Sequence, residues 1–109
     1  MSLERLIKAL IGLGLTRIDA EVYVILAKKG QQTVVDLAKA MNFGTHKIST
    51  SLTTLITKGL VNTNHKIFSA LPFEEALELL IELEKKQAQT LYQNKDELLA
   101  SWNKDTQSV

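Results

Sequence analysis

The chain contains no cysteine. Disulfides, thiolate catalysis and cysteine-based zinc sites are therefore excluded, and a cytoplasmic setting fits that composition. Proline occurs once, at Pro72, and glycine five times in 109 residues. Breaks in regular structure are thus few and individually informative. No apolar run approaches the ~20 residues that span a bilayer. The N-terminus lacks the plan of a signal peptide, so no membrane association is expected. The two histidines, His46 and His65, do not stand at metal-ligand spacing, so no metal site is expected. There is no nucleophile–base signature and no glycine-rich phosphate loop. Glu74, Glu75, Glu78 and Glu82 have the spacing of a solvated helix face rather than of an acid–base pair. Catalysis and a cofactor are both unexpected on these grounds.

What is present is patterned. The net charge is +1, but it is unevenly spread. Residues 1–72 carry nine Lys and Arg against four Asp and Glu, a net +5. Residues 73–109 carry four against eight, a net −4. A basic front and an acidic rear suit a protein whose first part faces a polyanion and whose second part faces something else.

Apolar spacing gives the elements. Leu3, Leu6, Ile7 and Leu10 predict a first helix ending near Gly12 and Gly14. Thr16 and Asp19 form a T-x-x-D capping pair, with Ile18, Val22, Ile25 and Leu26 as the inner stripe and Gly30 as the stop. Thr33 and Asp36 repeat the pair before Val34, Leu37, Ala38 and Met41. Asn42-Phe43-Gly44 is a turn, with Gly44 expected at positive φ and Phe43 plugging the angle between helices. The next helix is predicted over 45–58, with Ile48, Leu52, Leu55 and Ile56 inward. Its outer face holds Thr45, His46, Lys47, Ser49, Thr50, Thr53, Thr54 and Thr57, although threonine is a mediocre helix former. Two short strands follow over about 61–70, turning within Asn62 to Lys66.

Pro72 then opens a long helix expected to run from Phe73 to about Trp102. Leu77, Ile81, Ala88, Leu91, Leu98 and Trp102 recur four and three apart, interrupted by Glu84 and Lys95. Such a stripe predicts a coiled-coil-like homodimer seam. The expected architecture is mainly α with a small β-hairpin wing. It comprises a winged helix-turn-helix over 1–72, a long C-terminal dimerisation helix over 73–104, and a frayed tail over 105–109.

In that unit the second helix of the pair is shaped for a DNA major groove, and the wing for backbone or minor groove. Candidate DNA-binding residues are Thr33, Thr45, His46, Lys47, Ser49, Thr50, Thr54, Asn64, His65 and Lys66, with Asn62 as a further wing contact. Lys47 can donate to guanine O6 or N7, or to phosphate. His46 can donate or accept on a base edge. Thr50, Ser49 and Thr54 can hydrogen-bond base or phosphate, and threonine methyls can touch thymine methyl. Thr33 and its helix N-terminus can hold a phosphate.

The blocks Gly14-Leu15-Thr16, Ala20-Glu21-Val22-Tyr23, Val35-Asp36-Leu37-Ala38, Leu55…Lys58-Gly59-Leu60-Val61 and Leu71-Pro72-Phe73-Glu74-Glu75-Ala76-Leu77 resemble the DNA-binding domain of the TrmB-type archaeal transcriptional regulators. The resemblance covers about Leu3 to the middle of the last helix. It implies a homodimeric, sequence-directed binder of double-stranded DNA. Relatives carry a sugar-binding domain beyond the long helix, where these 109 residues end, so no sugar effector is expected. The family's recognition helix typically opens with Pro and Arg and includes a Tyr. Here Gly44, Thr45 and Ser49 stand at those positions, with Lys47 the only cation in the first turn. Two other readings remain open: a winged-helix protein-interaction module of a transcription or assembly complex, and a small sensor binding a ligand between dimer helices.

Overall fold

The computed structural model describes residues 3–107. Six helices and one hairpin follow in order: α1 (Leu3–Gly12), α2 (Arg17–Lys29), α3 (Val34–Met41), α4 (Thr45–Thr57), β1 (Val61–Asn64), β2 (Ile67–Ala70), α5 (Phe73–Gln93) and α6 (Lys95–Gln107). No helix among the described residues is long and apolar enough to cross a membrane.

Helix α2 is the hub. The expected stripe of Ile18, Val22, Ile25 and Leu26 is only part of its buried surface. Ala20, Val22, Tyr23, Val24 and Leu26 are all buried, whereas Ile18 and Ile25 are only partly so. A helix enclosed on several sides reads as apolar nearly all round. Here α1, α4 and β2 pack on it. Tyr23 Oη donates to the Leu71 carbonyl at 2.5 Å, fastening the hub to the β2–α5 junction. Ile7 and Leu10 of α1, Leu37 of α3, Ile48, Leu52 and Leu55 of α4, and Ala76 and Leu80 of α5 complete the core. At ~1.5–3 kcal/mol per large apolar side chain, this cluster dominates the stability of the front domain.

The caps follow the sequence with two differences. At α3 the box is closed: Asp36 N–H donates to Thr33 Oγ1 at 3.1 Å and Thr33 N–H to Asp36 Oδ2 at 3.3 Å. At α2, Asp19 N–H donates to Thr16 Oγ1 at 3.2 Å, but the Asp19 carboxylate turns inward instead of reaching back. The second difference is at the helix-turn-helix corner. Gly44 is extended (φ −70°, ψ 153°) and serves as the N-cap of α4. Asn42 takes the left-handed conformation (φ 56°, ψ 43°) and stops α3. Asparagine tolerates that region better than other non-glycine residues, so the corner does not need Gly44 for it. Phe43 packs against the core as expected.

β1 and β2 pair antiparallel, Val61 with Ala70 through Asn64 with Ile67. The hairpin turns on two residues alone, His65 (φ 53°) and Lys66 (φ 68°). Positive φ at both central positions defines a type I′ turn, matched to the strand twist. A third, one-residue strand joins the sheet. Gln32 N–H donates to the Phe68 carbonyl at 3.1 Å, and Phe68 N–H donates to Gln32 at 2.8 Å. This pair anchors the wing to the connection between α2 and α3, and no apolar alternation announces it.

The C-terminal helix departs from expectation. It is interrupted at Asn94 (φ −95°, ψ 10°), which ends α5 and precedes α6. Asp96 and Glu97 lie in the first turn of α6, where acids favour a helix start. Phe73, Ala76, Leu77, Leu79, Leu80 and Leu83 of α5 pack on the front domain. Leu77 is thus half-buried against its own core rather than free for a seam. Glu84 is also half-buried, against the α1–α2 turn: a side chain at Gly14 (φ +104°) would meet its Oε1 at 2.8 Å. Gly14 is therefore fixed both by backbone conformation and by close approach. Beyond Leu83 the seam positions are exposed: Ala88, Leu91, Leu98 and Trp102, with Ile81 before them. The molecule measures 53 × 29 × 29 Å. Helix continues through 105–107, where the tail was expected to begin, and residues 108–109 lie outside the described residues.

Candidate nucleic-acid interface

Helix α4 is held by one apolar face. Ile48, Leu52 and Leu55 are 0–1% exposed. The fourth inward position is Ser51, not the expected Ile56, which is 38% exposed. Ser51 Oγ donates to Asp19 Oδ1 at 2.6 Å, and both residues are buried. A short bond from a hydroxyl to a carboxylate is among the stronger hydrogen bonds, and its burial raises the cost of losing either partner. It locks α4 to the N-terminal turn of α2. The signal in the sequence is a polar residue set in the apolar stripe 48–52–55, matched by an acid between Ile18 and Val22.

The opposite face of α4 is exposed and brings together Thr45, His46, Ser49, Thr50, Thr53 and Thr57, with Thr54 at its edge. No acidic residue occurs anywhere in this helix, whereas each of the other five helices has one in its first turn. Its N-terminus has no side-chain cap. The first-turn N–H groups of Thr45, His46 and Lys47 therefore point outward without a local acceptor, an arrangement suited to an anion.

The hydroxyls of this face are less available than their number implies. Thr50 Oγ1 donates to the His46 carbonyl at 3.0 Å, and Thr53 Oγ1 to the Ser49 carbonyl at 3.0 Å. Thr54 Oγ1 donates to the Thr50 carbonyl at 3.2 Å, and Thr57 Oγ1 to the Thr53 carbonyl at 2.9 Å. Each proton goes back to the preceding turn, as hydroxyl side chains in helices commonly do. Lys47 is also engaged within the chain, with Nζ 4.9 Å from the centroid of the Phe43 ring. Such a contact contributes about 0.5–1 kcal/mol when exposed.

The remaining candidates lie apart from this face. Thr33 is the N-cap of α3, and the Asp36 carboxylate closes that helix end. A phosphate there would have to compete with a resident negative charge. Asn64, His65 and Lys66 are exposed at the hairpin tip, with Asn62 and Thr63 exposed along β1. Left-handed geometry at His65 and Lys66 costs roughly 1 kcal/mol each for residues with a Cβ. Arg17, which opens α2, is already paired, to Glu4 at 2.6 Å and Glu21 at 3.1 Å. Its bond holds the Glu4 carboxyl below the usual carboxylate range. The basic excess of the front half is thus concentrated in side chains other than Arg17. An open trough of about 630 Å³ runs beside α4, lined by Thr16, Ile18, His46, Lys47, Thr50 and Thr54 among others.

A helix pair joined at a left-handed corner, its second helix exposed along one polar face and followed by an anchored hairpin, defines a winged helix-turn-helix protein. The chain belongs to the TrmB family: the family described as "Sugar-specific transcriptional regulator TrmB" matches residues 10–74. The family is thus described as one of transcriptional regulators. Among solved structures it is similar to TrmBL2, described as an archaeal chromatin protein with a novel mode of DNA binding. The identity is 25% and the TM-score 0.72, covering 92% of this chain and 42% of that one. The chain therefore spans less than half the length of TrmBL2. A possible transcriptional regulator from Methanosarcina mazei Go1 aligns with TM-score 0.62 and 18% identity, covering 89% of this chain and 88% of that chain. The activation domain of the phage T4 transcription factor MotA aligns with TM-score 0.58 and 21% identity, covering 90% and 99%. These last two likenesses show the fold. No curated protein matches the chain.

Proposed function

We propose that the chain binds duplex DNA in the cytoplasm as a homodimeric transcriptional regulator, with α4 in the major groove and the wing on backbone or minor groove. The observation that carries this reading is α4 itself: exposed along one polar face, free of acids, and uncapped at its N-terminus. His46, Thr45 and Ser49 reach base edges from the N-terminal end of α4, and first-turn N–H groups and Lys66 meet phosphates. Ile81, Ala88, Leu91, Leu98 and Trp102 form the contact between subunits. Apolar side chains exposed to the extent of Leu91 (61%) and Trp102 (67%) favour burial against a partner.

Fluorescence anisotropy on random duplex DNA at several salt concentrations tests the proposal. The expected result is an affinity that falls steeply with salt, each neutralised phosphate contributing roughly −0.9 to the logarithmic slope. No binding at low salt would overturn it. A second reading, a winged helix that docks on another protein, is favoured by two observations. The threonine protons and Lys47 of α4 are engaged internally, and the acidic α5–α6 segment exposes apolar side chains. Co-purification with one partner together with no DNA binding would select it.

A further inference from the structure

Resting on the proposal that α4 enters the major groove, we infer that this face reads thymine methyl groups and so directs the protein to A·T base pairs. The starting point is the state of the hydroxyls. Thr50, Thr53, Thr54 and Thr57 each give their only side-chain proton to the backbone one turn earlier. What each then offers outward is a methyl group and oxygen lone pairs. From Thr50 to Thr57 the helix presents no side-chain donor on this face. The one long cation nearby, Lys47, is drawn over Phe43. Donors remain only toward the N-terminal end, on Thr45, His46 and Ser49.

The major-groove edges of the base pairs answer this inventory unequally. Guanine shows two acceptors, O6 and N7, and needs a donor such as a free Lys or Arg. An A·T pair carries two acceptors as well, adenine N7 and thymine O4, with the adenine N6 amino donor between them, so repulsion from an acceptor-lined face does not separate the pairs. What A·T adds is the thymine C5-methyl beyond O4. A threonine methyl packs on that methyl, and a threonine lone pair can accept from the adenine amino group. Cytosine supplies an amino donor but no methyl. The four threonines span two turns of α4, so more than one base pair falls under them.

The test uses an alternating A·T duplex, the same duplex with uracil in place of every thymine, a G·C duplex of equal length, and that duplex with 5-methylcytosine for cytosine. Uracil differs from thymine only by the methyl. Each packed methyl is expected to contribute about fourfold in affinity, the factor for one methyl-sized apolar group removed from water. The A·T duplex should bind tightest, uracil substitution should weaken it about sixteenfold where two contacts are lost, and methylating cytosine should strengthen the G·C duplex. Thr50→Ser with Thr54→Ser keeps the hydroxyls and deletes two of the four methyls, and should reduce the thymine–uracil difference about fourfold per methyl that packs. Thr50→Val with Thr54→Val keeps the methyls and should preserve it. Equal binding to thymine and uracil duplexes would overturn this inference while leaving DNA binding intact. Binding to none of the duplexes at low salt would overturn it together with the proposal beneath it.

Discussion

Replacing Ser51 by alanine removes one oxygen and leaves the Asp19 carboxylate without the donor that meets it at 2.6 Å. Asp19 is 6% exposed and Ser51 4%, and both lie at the floor of the open trough beside α4, so water can replace the lost donor only in part. Stranding a buried charged acceptor costs about 2–3 kcal/mol, against roughly 0.5 for an exposed serine. Asp19→Ala removes the charge and leaves Ser51 with an unmet hydroxyl, a smaller loss for the polar term but with a small cavity added. With both changed, neither polar group is orphaned. The double variant should therefore be more stable than the sum of the single losses implies, with a coupling of about 1.5–3 kcal/mol. The Thr16 cap is unaffected throughout, because it uses the Asp19 backbone N–H and not the carboxylate. Urea unfolding at one fixed protein concentration measures all four species, which also controls for any dimer contribution. Single losses that add within about 0.5 kcal/mol would refute the argument that this bond positions α4.

The wing offers a gain. His65→Asn with Lys66→Gly installs the residues a type I′ turn prefers, and relief of two left-handed side chains should stabilise the fold by about 1–2 kcal/mol, read by urea unfolding. The same variant loses Lys66, and its salt slope for DNA should flatten by roughly one unit, read by anisotropy. Burial pushes the Tyr23 hydroxyl up to about 12. Its contribution is fully present below pH ~10, the unfolded value, and is lost as pH rises from there to about 12. Two pH units imply ~3 kcal/mol, but Tyr23 lines an open cleft whose water screens part of the charge, so the loss should be about 1–2 kcal/mol and absent in Tyr23→Phe, checked by alkaline denaturation. Leu91→Asp with Leu98→Asp should turn a dimer into a monomer in light scattering without unfolding the front domain, since both side chains are at least half-exposed within the chain.

How far the sequence carried depended on whether an element's logic was local. Helix starts at Thr16 and Thr33, the stop at Gly30 and the stripe Ile48–Leu52–Leu55 are short-range patterns, and they appear where the residues place them. Readings that depend on three-dimensional neighbours fared differently. Tyr23 and Val24 lie off the expected α2 stripe, yet they are buried because that helix is enclosed on several sides. Ile56 fits the inward spacing, but Ser51 holds the place because an acid from α2 needs a donor there. The left-handed corner falls on Asn42 instead of Gly44, both of which tolerate it, and composition alone does not choose between them. The break at Asn94 was legible in principle. Asn94 and Glu97 stand at the spacing of a helix start, but the longer heptad-like pattern overrode it.

The same tension between local and global reasons bears on α4. Five threonines in thirteen residues cost roughly 3 kcal/mol of helix propensity relative to alanine. The back-bonded hydroxyls do not explain that choice, because alanine would need no such bond and would form a better helix. Nor does packing, since Thr50, Thr53 and Thr57 are exposed and touch no core. Where a sequence breaks a local rule on a solvent face and gains nothing in stability, the reason lies in what that face meets. The face has no acid to repel a phosphate backbone, and it keeps its side-chain donors only ahead of Thr50. A ridge of methyls in such a place has a use if it touches other methyls, and the major groove carries them only on thymine.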